Sequence, residues 1–270
     1  MNTSRLLPAL AVLALSAAAA AAAPSPTVMK WTIGGVERRG LVFAPAPLPR
    51  PGMGTIAKRP LVLVFHGHGG TARQAALSMR LQARWPEAIV VYLQGLPTVS
   101  PVDPQGKRPG WQREMGENGD RDLKLIDAAL ASLRSEYPVD DHRIYATGFS
   151  NGAFFTYLLW AARGSTFAAF APCAGLLGAD LHPAEPRPVL AIGGENDPLV
   201  TFDRWKDVLA TVRALDGATA PGSPCGSGCT LYPSTKNAPV EAITHPGGHV
   251  YPPWASEKVV DFLKSHELAP

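Results

Sequence analysis

The sequence is poor in charged side chains and has few cysteines. Charged residues make up only 17% of the 270 positions, and the formal net charge is +3. No run of basic residues is longer than a pair, so the chain lacks the clustered positive charge that nucleic-acid binding requires. Internal repeats and low-complexity linkers are also absent after Thr27. The sequence therefore predicts no nucleic-acid partner and no separate polymer-binding module.

The longest apolar run lies at the N-terminus. Arg5 precedes an apolar segment that ends in alanines, which is typical of a secretory signal peptide cleaved near Ala21 to Ala23. The residues that follow do not form a basic stop-transfer flank, so we expect no stable membrane anchor. We expect residues 1–23 to be removed and residues 24–270 to form a single domain of a secreted protein, either extracellular or periplasmic.

The three cysteines are consistent with such an exported protein, in which disulfides are permitted. Cys225 and Cys229 lie in a glycine-rich loop, PCGSGCT, that can bring them together, and we expect them to be bonded. Cys173 follows an apolar run and is expected to be a buried free thiol. Two cysteines alone lack the further ligands of a zinc site, so the sequence predicts no metal there.

Strand patterns alternate with helix patterns along the chain. An opening hairpin is expected over residues 28–43, and a long loop over residues 96–120. The expected buried strands are 61–65, 88–92, 144–147, 167–171, 188–192 and 240–243. The expected helices are 72–83, one capped by Asp120, 154–162, 202–215 and 256–264. This alternation predicts an α/β fold with a mostly parallel central sheet and helices on both faces.

A serine stands where one of these strands meets a helix. Ser150 lies between Gly148 and Gly152 in the pattern G-x-S-x-G, directly after the strand 144–147. A serine on such a tight turn can form a nucleophile elbow, with its hydroxyl exposed above the sheet edge. An ordinary loop can have the same letters, so the presence of catalytic partners decides between the two interpretations.

Candidate partners follow two later strands. Asp197 comes after the strand 188–192 and His249 after the strand 240–243. Since the carboxyl ends of parallel strands meet at one edge of a sheet, a base and its orienting carboxylate can reach the serine there. The order Ser150, Asp197, His249 is that of an α/β-hydrolase triad. Glu195 is a second candidate for the acid, and His245 is a second candidate for the base.

Two other classes of site compete for the segment VFHGHGGTA. It fits a dinucleotide-binding fingerprint, but Gln94 stands where that fold requires an acid at the end of the next strand. The spacing of His66 and His68 also begins a metallohydrolase-like pattern, which Gly70 and Thr71 do not continue. We therefore expect neither a cofactor nor a metal. His66 is expected to hold its loop by hydrogen bonds.

Together, several segments of the chain resemble the secreted α/β-hydrolase esterase family that includes polyhydroxybutyrate depolymerases and feruloyl esterases. These segments are LVLVFHGHGG, IVVYLQG, RPGWQ, NGDRDLKLIDAAL, DDHRIYATGFSNGA, GGENDP and GGHVYP. The resemblance covers roughly residues 28–266. It implies a serine carboxylesterase that needs no cofactor and acts on small-molecule or oligomeric esters.

The resemblance also implies a role for individual residues. Ser150 matches the nucleophile, Asp197 the acid and His249 the base, while the backbone N–H groups of Asn151 and His68 match the oxyanion hole. Many depolymerase-type members have cysteine at the position of His68, which weakens the case for a polymer substrate.

Trp111, in the long loop, is interpreted as one wall of a substrate cleft that stacks on a phenolic acyl group, and a plain packing role is the alternative. The expected substrates are therefore feruloyl-type esters. A depolymerase of hydroxyalkanoate oligomers and an acyltransferase on the same triad are the alternatives.

Overall fold

The computed structural model describes residues 25–45 and 57–269, so the expected leader peptide lies outside the described residues. Most strands of the chain belong to one large sheet, and a short pair, β5 and β6, lies apart from it. In chain order the strands are β1 (Thr27–Ile33), β2 (Val36–Phe43), β3 (Arg59–Phe65), β4 (Ile89–Leu93), β5 (Leu96–Pro97), β6 (Pro109–Gly110), β7 (Val139–Phe149), β8 (Ala169–Cys173), β9 (Val189–Gly194), β10 (Ser223–Gly226), β11 (Cys229–Tyr232) and β12 (Val240–His245).

Within the described residues the large sheet has ten strands, in the order β1-β2-β4-β3-β7-β8-β9-β12-β11-β10. The central strands, from β4 to β12, are all parallel. An antiparallel hairpin extends the sheet at each end. The first hairpin was expected, and its turn at Gly34 and Gly35 has positive φ at both positions, as a type I′ turn requires. The hairpin of β10 and β11 was not expected.

Helices cover both faces of the sheet, as the sequence predicts. The helices are α1 (Ala72–Met79), α2 (Leu81–Arg84), α3 (Arg121–Glu136), α4 (Asn151–Arg163), α5 (Phe202–Leu215) and α6 (Ala255–Lys264). Buried side chains of α3, α4 and α5 form one hydrophobic core with the sheet, and those of α1, α2 and α6 form a second core on the other face. None of these described helices has the length and apolar character needed to cross a membrane.

The helix expected over residues 72–83 is interrupted. Arg80 has φ 47°, in the left-handed region, so α1 ends at Met79 and α2 begins at Leu81. The hydroxyl of buried Tyr92 accepts a hydrogen bond from the N–H of Leu81 at 2.9 Å. A side chain from β4 therefore provides a hydrogen-bond acceptor at the break between the two helices. The local sequence pattern does not reveal this contact.

The expectation that the Asp120 side chain caps α3 is wrong. Asp120 precedes the helix, but its side chain makes no capping hydrogen bond. Its carboxylate instead accepts hydrogen bonds from the N–H of Gly116 and from the side chain of Gln112, both at 2.8 Å. The long loop before α3 is therefore stabilised by internal hydrogen bonds, and it includes the short pair of β5 and β6.

The expected disulfide is confirmed: Cys225 and Cys229 are bonded across the hairpin of β10 and β11, while Cys173 is buried and free. Because the bond closes a very short loop at the sheet edge, replacing both cysteines by alanine should lower the free energy of unfolding by no more than about 2 kcal/mol. Urea denaturation measures this change, and mass spectrometry of the unreduced protein checks the pairing. A bridge from Cys173 to either loop cysteine would contradict it.

Candidate active site

Ser150 occupies a tight turn between β7 and α4. Its backbone has φ 53° and ψ −122°, a conformation that is strained for any residue other than glycine. The two flanking glycines are required by close packing. A Cβ atom on Gly148 would lie 2.4 Å from the carbonyl oxygen of Gly152, and one on Gly152 would lie 2.3 Å from that of Phe65. The pattern G-x-S-x-G here therefore marks an elbow and not an ordinary loop.

The hydroxyl of Ser150 lies at one end of a chain of hydrogen bonds. Its Oγ is 2.7 Å from Nε2 of His249, and Nδ1 of His249 is 2.7 Å from Oδ2 of Asp197. A carboxylate can only accept, so the ring carries its proton on Nδ1 and accepts the serine proton on Nε2. This arrangement can generate a nucleophilic alkoxide at neutral pH.

The carboxylate of Asp197 is itself fixed by the backbone. Its Oδ1 accepts hydrogen bonds from the N–H groups of Leu199 and Val200, both at 2.8 Å, and its side chain is 1% exposed. Glu195, the second candidate acid, is exposed and makes no side-chain hydrogen bond within the described residues. The structure therefore brings Asp197, and not Glu195, to the imidazole.

The loop of Asp197 and the loop of His249 are bonded to each other. The N–H of Asn196 donates to the carbonyl of Gly247 at 3.2 Å. A Cβ atom on Gly194 would lie 2.7 Å from the same carbonyl oxygen, so the two loops are in direct backbone contact. This contact brings His249 to Asp197, although the two residues are far apart in the sequence.

His245, the second candidate base, makes no hydrogen bond to Ser150, whose hydroxyl is bonded to His249. It is buried, and its Nδ1 accepts a hydrogen bond from the N–H of Gly247 at 3.1 Å. Burial lowers the pKa of its ring, so the neutral form is favoured. The ring of Trp254 packs against it edge-on, with centroids 6.0 Å apart. His245 therefore supports the loop of His249.

Two backbone N–H groups are available beside the hydroxyl. The amides of His68 and Asn151 donate no hydrogen bond to any described residue. The chain of His68 comes close to the elbow, since a Cβ atom on Gly67 would lie 3.3 Å from Cβ of Ser150. Free donors at such a position can stabilise an oxyanion.

One hairpin holds both of these residues in place. Nε2 of His68 is 3.1 Å from Oδ2 of Asp103, in the loop between β5 and β6. The side chain of Asn151 accepts from the N–H of Trp111 at 2.7 Å and donates to its carbonyl at 3.0 Å, just after β6. We call the hairpin with these bonds the 96–111 clamp. Asp103 could not be identified from the sequence, because a single acid in a polar loop carries no distinguishing signal.

The interpretation of Trp111 as a cleft wall is wrong. Its side chain is fully buried, and its indole N–H donates to the carbonyl of His66 at 2.9 Å. The ring stacks on Phe155 and meets Phe65 edge-on, with centroids 5.4 and 5.2 Å away. Trp111 therefore anchors the clamp in the core and cannot stack on a substrate.

His66 supports the loop of His68, as the sequence predicts. Its Nδ1 donates to the carbonyl of Gly67 at 2.8 Å, and its Nε2 accepts from the N–H of Gly95 at 3.0 Å. Burial lowers the pKa of the ring to about 4, so His66 is neutral in neutral solution. Its two bonds link the loop of His68 to the residue Gly95 just after β4.

Metal-binding side chains cluster at one place in the part of the chain that the structure describes. Cys225, Cys229 and Glu241 lie close together there. Both sulfurs belong to the disulfide and cannot act as thiolate ligands. This cluster therefore offers no metal centre.

Proteins with similar sequences are named for the hydrolysis of esters. No known protein-family profile matches the chain. Feruloyl esterase C of Emericella nidulans is 33% identical over 155 residues, which are 55% of this chain and 56% of that protein. The bifunctional acetylxylan esterase/xylanase XynS20E of Neocallimastix patriciarum is 28% identical over 183 residues, which are 66% of this chain and 24% of that protein. The chain thus spans about half the length, or less, of these relatives.

Solved structures show the same fold. An acetyl xylan esterase from Aspergillus awamori superposes with a TM-score of 0.63, covering 88% of this chain and 99% of that one at 14% identity. A ferulic acid esterase superposes with a TM-score of 0.62, covering 89% and 97% at 13% identity. At these identities the likeness establishes the α/β-hydrolase fold.

If Ser150 is activated as the geometry indicates, a fluorophosphonate probe should label it covalently in the native protein. Asp197→Asn should slow the labelling by about a hundredfold or more, since the carboxylate sets the imidazole tautomer. Glu195→Gln is the matched control and should label at the normal rate. Mass spectrometry of the labelled peptide measures both. Fast labelling of the Asp197 variant, or loss in the Glu195 variant, would contradict the assignment of the acid.

Proposed function

Because this chain is an α/β-hydrolase related to proteins named as feruloyl and acetylxylan esterases, we propose that it is a serine carboxylesterase. The observation that carries this proposal is the continuous hydrogen-bonded path from Ser150 through His249 to Asp197. The two free amides beside the serine add the second element that acyl transfer requires.

The reaction follows from these groups. Oγ of Ser150 attacks the ester carbonyl while Nε2 of His249 takes its proton, and the N–H groups of Asn151 and His68 stabilise the oxyanion. His249 then returns the proton to the leaving alcohol, and an acyl-enzyme forms. Water, activated by the same imidazole, releases the carboxylic acid and regenerates the serine. Asp197 orients the ring and stabilises its charged form at both steps.

We propose hydroxycinnamoyl esters of the feruloyl type as the substrates. The names of the relatives support an ester of this kind. Hydroxybutyrate oligomers are the alternative that the sequence left open, and we retain them as a comparison substrate.

We further propose that the mature protein is secreted. The apolar N-terminal segment supports export. The disulfide between Cys225 and Cys229 supports an oxidising destination, because such bonds are rare in proteins of the reducing cytosol.

Ser150→Ala should reduce hydrolysis of 4-nitrophenyl acetate and methyl ferulate by about a thousandfold or more, because no other group can form the acyl-enzyme. The protein should remain folded, since the change removes one oxygen. Ser165→Ala, at an exposed serine, is the matched control. A folded Ser150→Ala protein that kept most of its activity would exclude the mechanism. Faster turnover of hydroxybutyrate oligomers than of methyl ferulate would favour the alternative substrate, and ester products formed with an added alcohol would indicate acyl transfer.

Asp103→Ala should lower kcat by about tenfold with little change in KM, because it releases His68 and so disorders one oxyanion donor. Asp103 is proposed to act through His68, as a positioning residue. Asp103→Asn, which keeps an acceptor at the same place, should recover most of the rate. Asp127→Ala is the control, since it breaks the exposed ion pair with Arg163. If kcat and KM of the Asp103→Ala protein stayed at normal values, the clamp would have no role in catalysis.

A further inference from the structure

A buried ion pair joins β2 to the first turn of α3. Nη2 of Arg38 is 2.7 Å from Oδ1 of Asp122, and both side chains are 0% exposed. Removing two charges from water costs about as much as their attraction returns, so an apolar pair of similar size is often equally stable. Stability alone therefore does not account for this pair, and its other contacts indicate what it does.

The guanidinium of Arg38 also holds the end of β4 against the start of α3. Its Nη2 donates to the carbonyl of Gln94, directly after β4, and its Nη1 donates to the carbonyl of Arg121, both at 3.2 Å. A guanidinium presents its donors in a rigid planar fork, so the acceptors bonded to it have fixed positions relative to one another. The end of β4 and the start of α3 are therefore aligned by one rigid group.

The peptide group between Gln94 and Gly95 leads from Arg38 toward the loop of His68. Its carbonyl accepts from Arg38, and its N–H donates to Nε2 of His66 at 3.0 Å. Because a peptide group is planar, the bond at one end fixes the direction of the other end. The ion pair therefore determines where the N–H that holds the imidazole of His66 points.

The imidazole of His66 continues this path to the candidate oxyanion donor itself. Its Nδ1 donates to the carbonyl of Gly67 at 2.8 Å. This carbonyl belongs to the same peptide group as the N–H of His68, so the bond sets the direction of that N–H. Two peptide groups and one imidazole ring thus connect Arg38 to the first donor.

The peptide group between Trp111 and Gln112 leads from Asp122 to Asn151 in the same way. Its N–H donates to Oδ2 of Asp122 at 2.9 Å, and its carbonyl accepts from the side chain of Asn151 at 3.0 Å. The other oxygen of Asp122 is the one bonded to Arg38, so each carboxylate oxygen holds a donor. A carboxylate can accept at both positions, whereas an amide could accept at only one of them.

We propose that Arg38 and Asp122 are positioning residues of the hydrolytic reaction, since their ion pair aligns the N–H groups of His68 and Asn151. This inference rests on the proposed esterase function. It gives a role in the reaction to two side chains that no substrate can reach, because both are fully buried. The pair acts on the oxyanion donors, so it should affect the rate after binding and leave the ionisation of His249 unchanged.

The first variant is Asp122→Asn, which keeps the shape of the side chain and removes one acceptor. Its amide must turn a donor toward either Arg38 or the N–H of Gln112, so one of the two bonds is lost. We expect kcat on methyl ferulate and 4-nitrophenyl acetate to fall by about tenfold with little change in KM, because the oxyanion forms only after the ester has bound. Asp141→Asn is the matched control, since Asp141 forms an exposed ion pair with Arg134, also in α3.

Arg38→Lys is the second variant, and it decides the question if Asp122→Asn does not fold. It keeps both charges, but an ammonium lacks the planar fork that reaches the carbonyls of Gln94 and Arg121 together. Its kcat should fall by about threefold or more at an unchanged KM. Arg134→Lys, in the exposed pair, should have no effect. Rates are expressed per serine labelled by a fluorophosphonate probe, so that unfolded protein is not counted.

Two further measurements separate the alignment of the donors from a general loss of structure. An alkyl trifluoromethyl ketone forms a tetrahedral adduct with Ser150 whose oxyanion depends on the same donors. Its affinity should therefore fall by the same factor as kcat/KM. The acid limb of the pH profile of kcat/KM, which reports the ionisation of His249, should not move.

The proposal is overturned, and the esterase function stands, if the folded variants have a normal kcat per labelled serine, a normal affinity for the ketone or a shifted acid limb. Failure of both variants to fold would assign the pair to stability and would overturn the proposal as well. If the wild-type protein shows no Ser150-dependent hydrolysis of either ester, the esterase function fails together with the proposal.

Discussion

The close approach of the backbone at the end of β7 determines the geometry of the whole site. The start of α4 passes so near to β3 and β7 that neither Gly148 nor Gly152 has room for a Cβ atom. The chain can make this turn only if Ser150 takes a positive φ, at a cost of about 1–3 kcal/mol that the surrounding packing must offset. The position of the hydroxyl is therefore imposed by packing between backbones. Its partners only have to reach a point that the fold has already defined.

The partners reach that point through backbone hydrogen bonds of their own. Asp197 accepts two N–H groups in addition to the imidazole, which leaves its buried carboxylate fully paired in spite of its burial. The loop of His249 is bonded to the loop of Asp197 and supported by neutral, buried His245. Each side chain of the candidate triad is thus held by backbone or loop groups outside the triad, so the arrangement would need little reorganisation if charge developed there.

The sequence predicts the elements that depend on local pattern and on strand ends. Ser150, Asp197 and His249 each follow an apolar strand, and parallel strands bring such positions to one edge, so their convergence could be inferred from the sequence. Trp111 could not be placed in this way. Its ring is buried in the core and its backbone is bonded to the side chain of Asn151, and these contacts join residues that are distant in the sequence. The side chain of Asp120 was misplaced for a different reason, because Gln112 and Gly116 of the nearby loop compete with the helix for its carboxylate.

The 96–111 clamp explains why a long loop rich in proline and glycine is useful in this fold. The loop at its tip, through Asp103, holds His68, and its C-terminal end, through Trp111, holds Asn151. Both residues whose backbone amides are the candidate oxyanion donors are therefore held by one hairpin. Because Trp111 is itself anchored in the core through its indole N–H and its contacts with Phe65 and Phe155, this hairpin is tied to the same packing that fixes the elbow. The two candidate donors thus take their positions from one rigid element and not from two independent loops.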